Sequence, residues 1–334
     1  GQFNANAFNG FSYFLSIDKS LKNQLFSLVF LGNKQANTRT AAVTEEMVAL
    51  TGNKQYQPGW GFQSNHIRNA NWQFNHHPML LLSHEYNLHE KIKQVSTLLL
   101  STGEKFNTAL DWYNSTDPRP DYYRYLPSFL KDSLLSQNLL THLQLNPTQL
   151  QINWDHLYWI NQNSTPDKRA RYLLEERVEQ SKKIVLNTRY RIQLNDLLLL
   201  NFQGQFRTER YTYFKRINDL LGAVYSINWN QFAEDNLPGS TAIQNDLNHP
   251  NQILRVGDVF GYHYQMNLRQ WLMMSQAIYT LPKFDFNAAI EYTATSYQRV
   301  GKYRNGVFPQ NSYGASIPNY FNNYQIKMGV TYKQ

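Results

Sequence analysis

Histidines at positions 76, 77, 84 and 89 form the densest run of metal-ligating side chains in the sequence. A zinc site needs three or four such groups converging on one point. An extended backbone sends His76 and His77 to opposite faces, no cysteine is present, and Glu85 is the one carboxylate among them. These residues therefore predict no metal site. Asp111, Asp117 and Asp121 in DWYNSTDPRPD offer oxygen ligands. The ligand order and central glycine of a calcium loop are missing, and Pro118 and Pro120 point instead to a stiff loop. The same stretch is rich in rings, with Trp112, Tyr113, Tyr122, Tyr123 and Tyr125. Such faces stack on sugar rings or on packed peptide. The candidates for ligand binding are accordingly Trp112, Tyr113, Asp117, Asp121, Tyr122 and Tyr123, set against loop-on-loop packing or a protein interface.

No motif for nucleophilic, zinc-hydrolytic or phosphate chemistry occurs. The adjacent pairs Glu45–Glu46 and Glu175–Glu176 diverge on an extended chain and make poor acid–base partners. The sequence predicts no catalytic residue, no cofactor and no enzyme.

What would position an aromatic loop is written most clearly at 182–207, KKIVLNTRYRIQLNDLLLLNFQGQFR. Successive strand side chains alternate between faces. Ile184, Leu186, Thr188, Tyr190 and Ile192 share one face, while Lys183, Val185, Asn187, Arg189 and Arg191 share the other. After a break, Leu198, Leu200, Phe202 and Phe206 resume the apolar face against Asn201, Gln203, Gln205 and Arg207. Matching Ile192 to Leu198 predicts an antiparallel hairpin that turns over Leu194, Asn195 and Asp196. Arms of about ten residues with one apolar and one polar face suit a tilted crossing of a bilayer around a wet lumen.

The same parity marks further arms at 11–17, 24–31, 79–86, 93–101, 134–145, 150–159, 262–279, 284–295 and 323–333. Their connections alternate between short turns and long loops, as periplasmic turns and extracellular loops do in outer-membrane barrels. The segment 169–183 reads equally as a helix or as an extended arm. Tyrosines and tryptophans near arm ends, among them Tyr13, Trp154, Tyr158, Trp159, Tyr262, Tyr264 and Tyr332, are expected to form interfacial girdles.

Composition agrees. Charged residues make up 17% of the chain, below the roughly 25% of an ordinary soluble protein, and aromatics reach 15%. A mean hydropathy of -0.58 does not oppose a membrane barrel, because half of each strand faces water. The net charge of +8 is spread without a nucleic-acid-binding pattern; basic side chains near anionic lipopolysaccharide or in a lumen account for it better. The start, GQFNANAFNGFSYFLSI, is no signal sequence, so an exported protein is expected to begin upstream of it.

Several segments resemble the large TonB-dependent outer-membrane receptors of Bacteroidota, the SusC-like transporter family. They include FNGFSYFLSIDKSLKNQLFSLVFLG (8–32), YQPGWG (56–61), NHHPMLLLSHEYNL (75–88), LDWYNSTDPRPDYYRYLPS (110–128), INWDHLY (152–158), DLLGA (219–223), QNDLNHPN (244–251) and YRNGVFPQNSYG (303–314). The resemblance implies a plugged barrel that imports a bulky nutrient with energy passed on by TonB, under a surface lipoprotein lid of the SusD-like kind.

The expectation is thus an all-β fold, an antiparallel transmembrane β-barrel. Its about eleven strands would form part of a larger barrel of about 22. Residues 1–334 are read as one portion of an outer-membrane barrel domain, with the plug domain and the signal sequence outside this chain. Expected partners are outer-membrane lipids and lipopolysaccharide, a SusD-like lid or other outer-membrane complex subunits, and TonB through parts not in this chain. Nucleic acid is not expected. The alternative reading is a structural SusC-like barrel subunit of an outer-membrane protein assembly or secretion complex, and a more distant one is a soluble β-rich adhesin.

Overall fold

The computed structural model describes residues 5–164 and 168–333. The chain opens with the hairpin β1 (Phe8–Leu21) and β2 (Gln24–Thr38), followed by a loop that carries α1 (Glu45–Thr51), β3 (Trp60–Gln63) and β4 (His66–Asn69). It returns through β5 (Trp72–His76) and β6 (Met79–His89) and leaves again along β7 (Ile92–Trp112). A second long loop holds α2 (Ser133–Leu145), β8 (Ile152–Asn153) and α3 (Trp154–Asn163). The hairpin β9 (Tyr172–Gln193) and β10 (Leu198–Asp219) follows, then a third loop with β11 (Ser226–Ile227), α4 (Gln231–Asn236) and β12 (Ile253–Leu254). Last come β13 (Val259–Thr280), β14 (Phe284–Gly301), β15 (Gly314–Ala315) and β16 (Asn319–Tyr332).

Eleven of these strands form one antiparallel sheet. β5 and β6 share one column of it, because both lie between β2 and β7, and β15 and β16 both pair with β14. Among the described residues β1 and β16 each have one hydrogen-bonded neighbour, and the sheet they bound is open. All short turns lie at one end and the four loops at the other. The fold class is therefore as expected from the sequence.

The register carries each apolar side chain onto the same face. Ile17, Leu28, Leu82, Leu98, Leu186, Phe206, Trp271 and Ala294 are successive partners in one row across the sheet. One step along the strands the neighbouring row reads Thr97, Asn187 and Gln205 on the opposite face. Nothing among the described residues closes over the apolar row: Leu186 is 50% exposed and Trp271 55%. Among the described residues every buried apolar side chain instead belongs to the loop end. A soluble fold would bury such a row; here it is a lipid-facing band.

Several expectations are corrected. Residues 134–145 form α2 and not a strand: the side chain of Asp132 accepts from the amides of Leu134 and Leu135 and caps the helix. Leu139, Leu140 and Leu143 then pack together against Met47, Leu50 and Tyr56, a helical spacing that parity counting mistook for alternation. Most of 150–159 is α3, capped by the Asn153 side chain on the His156 amide. Trp154, Tyr158 and Trp159 thus sit on a loop helix, with Trp154 fully buried, and not in a girdle.

The ambiguous stretch 169–183 is strand from Tyr172 onward. Its first residues are buried without alternation, because α3 covers Tyr172 and Leu174 while the third loop covers Leu173 and Ile217. The β9–β10 register also differs from the expected one, since Ile192 pairs with Leu200. Asn195 accepts from the amides of Leu197 and Leu198 and lengthens the turn. A two-residue shift leaves every side chain on its expected face.

Candidate functional site

The loops are fastened to the strand tops by buried polar groups. Asn161, fully buried on α3, donates through Nδ2 to the carbonyls of Tyr172 (2.7 Å) and Leu220 (2.9 Å). Its Oδ1 accepts from the amides of Arg171 and Tyr172. The Arg68 guanidinium lies 4.4 Å from the Trp154 ring and 2.6 Å from Asp219 Oδ2. Gly61 lets β3 run against β8, since a Cβ there would stand 1.8 Å from the Ile152 carbonyl oxygen. These ties hold the loops as walls.

Between them opens a cavity of about 310 Å³, lined among others by Trp112, Tyr113, Lys215, Trp229, Phe232 and Tyr262. Tyr113 continues the β7 ladder past its end by donating its amide to the Arg171 carbonyl at 2.8 Å. The Arg169 guanidinium lies 4.0 Å from the Tyr113 ring and 4.7 Å from the Trp229 ring, joining two aromatic walls. Tyr262 and Lys215 meet at a bulge, where the β10–β13 register shifts and Gly261 adopts φ 71°, a conformation glycine reaches without strain. The Gly261 amide donates to Asn228 Oδ1 at 2.9 Å and ties the bulge to the third loop.

The floor is charged but balanced. Lys215 Nζ stands 2.6 Å from Glu175 Oε2 and 3.5 Å from Asp111 Oδ2, and Arg177 Nε stands 2.7 Å from Glu175 Oε1. By parity these groups share the face of Asn187 and Gln205, opposite the lipid-facing band. The arrangement can grip a ligand between rings above a polar floor; nothing in it supplies a nucleophile with its base.

The six candidates are divided. Trp112 and Tyr113 line the cavity. Asp117 takes the Arg119 guanidinium on both carboxylate oxygens, at 2.9 Å and 2.5 Å, and Arg119 also stacks 5.4 Å from Trp112. Asp121 keeps one buried oxygen without a hydrogen-bond partner, and burial pushes its carboxyl above the usual range. Tyr122 and Tyr123 meet edge-on at 4.9 Å, Tyr122 meets Tyr125 at 5.2 Å, and Tyr123 meets Phe129 at 5.4 Å. They form a cluster of their own along the loop. Lys215, Trp229, Phe232 and Tyr262 were not singled out as ligand contacts. The polar-face parity of Lys215 in YTYFKR was the available signal, whereas nothing local distinguishes Trp229.

The histidines are dispersed: His76 Nε2 lies 3.0 Å from the Tyr13 hydroxyl and His84 Nε2 lies 3.0 Å from Gln24 Oε1. Among the described residues no three acidic or histidine side chains group as a metal site.

Comparison with solved structures places this geometry on a known frame. The siderophore receptor PiuA from Acinetobacter baumannii matches over 100% of this chain and 41% of its own, at a TM-score of 0.55 and 12% identity. This chain shares the barrel fold of that protein. The ferric-catecholate import receptor Fiu from E. coli K12 matches in its closed form over 99% of this chain and 42% of its own, at a TM-score of 0.52 and 8% identity. Its open form matches at the same TM-score and 10% identity. The chain thus spans less than half the length of either receptor. No family model matches the sequence, and no curated protein matches it.

Proposed function

We propose that this chain is part of the wall and of the ligand vestibule of a TonB-dependent importer in a bacterial outer membrane, of the SusC-like kind known from Bacteroidota. The observation that carries the reading is the pairing of an uncovered apolar band with an aromatic cavity at the loop end of the opposite face. The fold shared with a ferric-catecholate import receptor and a siderophore receptor supports it. Tyr113, Trp229, Phe232 and Tyr262 take the flat faces of a bulky nutrient, such as sugar rings, and Lys215 and Asp111 meet its polar edges. Trp112 forms part of the wall; Asp117, Asp121, Tyr122 and Tyr123 form the rim. Phe308, Tyr313 and Ile317 stand exposed on the last loop and offer a seat for a SusD-like lid. Transport itself belongs to the whole protein, with TonB acting through parts outside this chain.

The test is growth and uptake on a panel of oligosaccharides, peptides and chelated iron, using a strain with and without the complete gene, together with affinity purification. Loss of uptake of one nutrient class and recovery of a lipoprotein lid support the reading. Unchanged uptake across the panel, with a stoichiometric set of assembly or secretion subunits, would replace it with the structural-barrel alternative.

A further inference from the structure

The outward face changes character abruptly above the apolar band. Ile184, Phe206 and Trp271 belong to the band, and the next outward positions toward the loops are Lys182, Thr208 and Arg269, followed by Arg210. Lys182 pairs directly with Arg210, and Arg269 pairs with Thr208, diagonal to Arg210. All three cations are exposed, and among the described residues none has an ion-pair or hydrogen-bond partner. Other cations of the sheet are matched to carboxylates: on the opposite face Lys183 and Arg207 both hold Glu209 and Lys215 holds Glu175, and nearer the loops Arg216 holds Glu104 and Glu176. Like charges directly opposed across two strands destabilise a sheet, unless an anion sits between them.

The surface there is recessed. A cavity of about 540 Å³ reaches Lys182, Arg210, Thr102, Thr212 and Gln265. Below it a second, of about 430 Å³, runs down between Phe30, Leu80, Leu100 and Ile184. The two share Pro78, Thr102 and Lys182, so one amphiphile can occupy both. The one carboxylate facing the upper cavity, Glu104, is already held by Arg216 at 2.8 Å and by Gln180 at 2.8 Å. His76, which also faces it, is bound to Tyr13.

We propose that Lys182, Arg210 and Arg269 bind the phosphates of a phosphorylated glycolipid of the outer leaflet, whose acyl chains lie in the apolar groove below. Charge complementarity and continuity with the hydrocarbon band select this occupant: the phosphates must stand at the loop-side edge of the membrane, where the three cations are. The proposal rests on the membrane orientation given above, though not on what is imported.

The test uses the complete protein purified from outer membranes in mild detergent, with the retained glycolipid measured by native mass spectrometry. The double variant Lys182→Gln/Arg210→Gln is expected to retain on the order of tenfold less glycolipid than the parent. Arg189→Gln, on the lumen face, is expected to retain as much as the parent. In reconstituted discs the parent is expected to prefer the phosphorylated glycolipid over its dephosphorylated form and over phosphatidylglycerol. Equal retention by the double variant, or equal binding of phosphatidylglycerol, overturns the proposal. If the parent were absent from outer membranes altogether, the membrane reading itself would fail, and fractionation reports that separately.

Discussion

Lys215 Nζ lies 2.6 Å from Glu175 Oε2 at the floor of the vestibule, and the glutamate side chain is wholly buried. Removing the lysine charge leaves a buried carboxylate with Arg177 as its remaining cation. Lys215→Met is therefore expected to destabilise the folded barrel by about 3 kcal/mol, the lower end for a broken buried pair, because the lysine keeps 23% of its side chain exposed. Adding Glu175→Gln should recover much of the loss. Denaturant titration of the complete protein in lipid, run as a double-mutant cycle, measures both; additive losses would contradict the pairing.

The face assignment predicts an asymmetry between two positions of β10. Leu200 pairs with Ile192 and Ala277 on the lipid side, whereas Gln205 pairs with Asn187 and Leu272 on the lumen side. Leu200→Arg should cost about 2 to 4 kcal/mol and Gln205→Arg little. Gln203 is the poorer lumen control because it stands opposite Arg189. Unfolding from phospholipid bilayers provides the comparison, and equal costs would reverse or abolish the two faces.

Within the vestibule, Tyr113→Ala and Trp229→Ala should each weaken ligand binding by about 1 kcal/mol, the scale of a lost ring contact. Tyr122→Ala should weaken it less, since that ring is engaged by Tyr123 and Tyr125. Titration calorimetry with whichever nutrient the uptake panel identifies ranks the three. The opposite ranking would move the site to the rim.

Asp121 sets a pH dependence in the second loop. Burial raises its folded-state carboxyl, opposed by Arg119, so the folded loop holds the proton more tightly than the unfolded chain does. Its contribution is then fully present below the unfolded value of about 3.9 and is lost as pH rises through the folded one. Local protection of residues 114–125 should fall on going from acid toward neutral pH, and Asp121→Asn should remove that dependence. Hydrogen exchange across this range reads the effect, and an identical profile in the variant would assign it elsewhere.

Much of the wall was legible in the linear chain because a strand between lipid and water repeats every two residues: Leu186 and Asn187 announce their faces without any knowledge of their neighbours. The wrong register at Ile192 did no harm, since a slip of two preserves parity. Helices α2 and α3 were illegible by the same rule. The leucines of α2 are spaced for packing against Met47 and Tyr56, while Trp154 and Leu157 of α3 pack against Ala70, Tyr172 and Leu221, and those partners exist only once the loops meet. Likewise Tyr113 was visible as one ring among several in an aromatic loop. Only the fold brought it to Trp229 and Lys215, from separate loops and strands, because cavities are made by long-range contact and leave no local period. What the sequence determined by itself was the two-sided sheet; which loop residues face one another, and therefore where the aromatic cavity opens, was decided by tertiary packing.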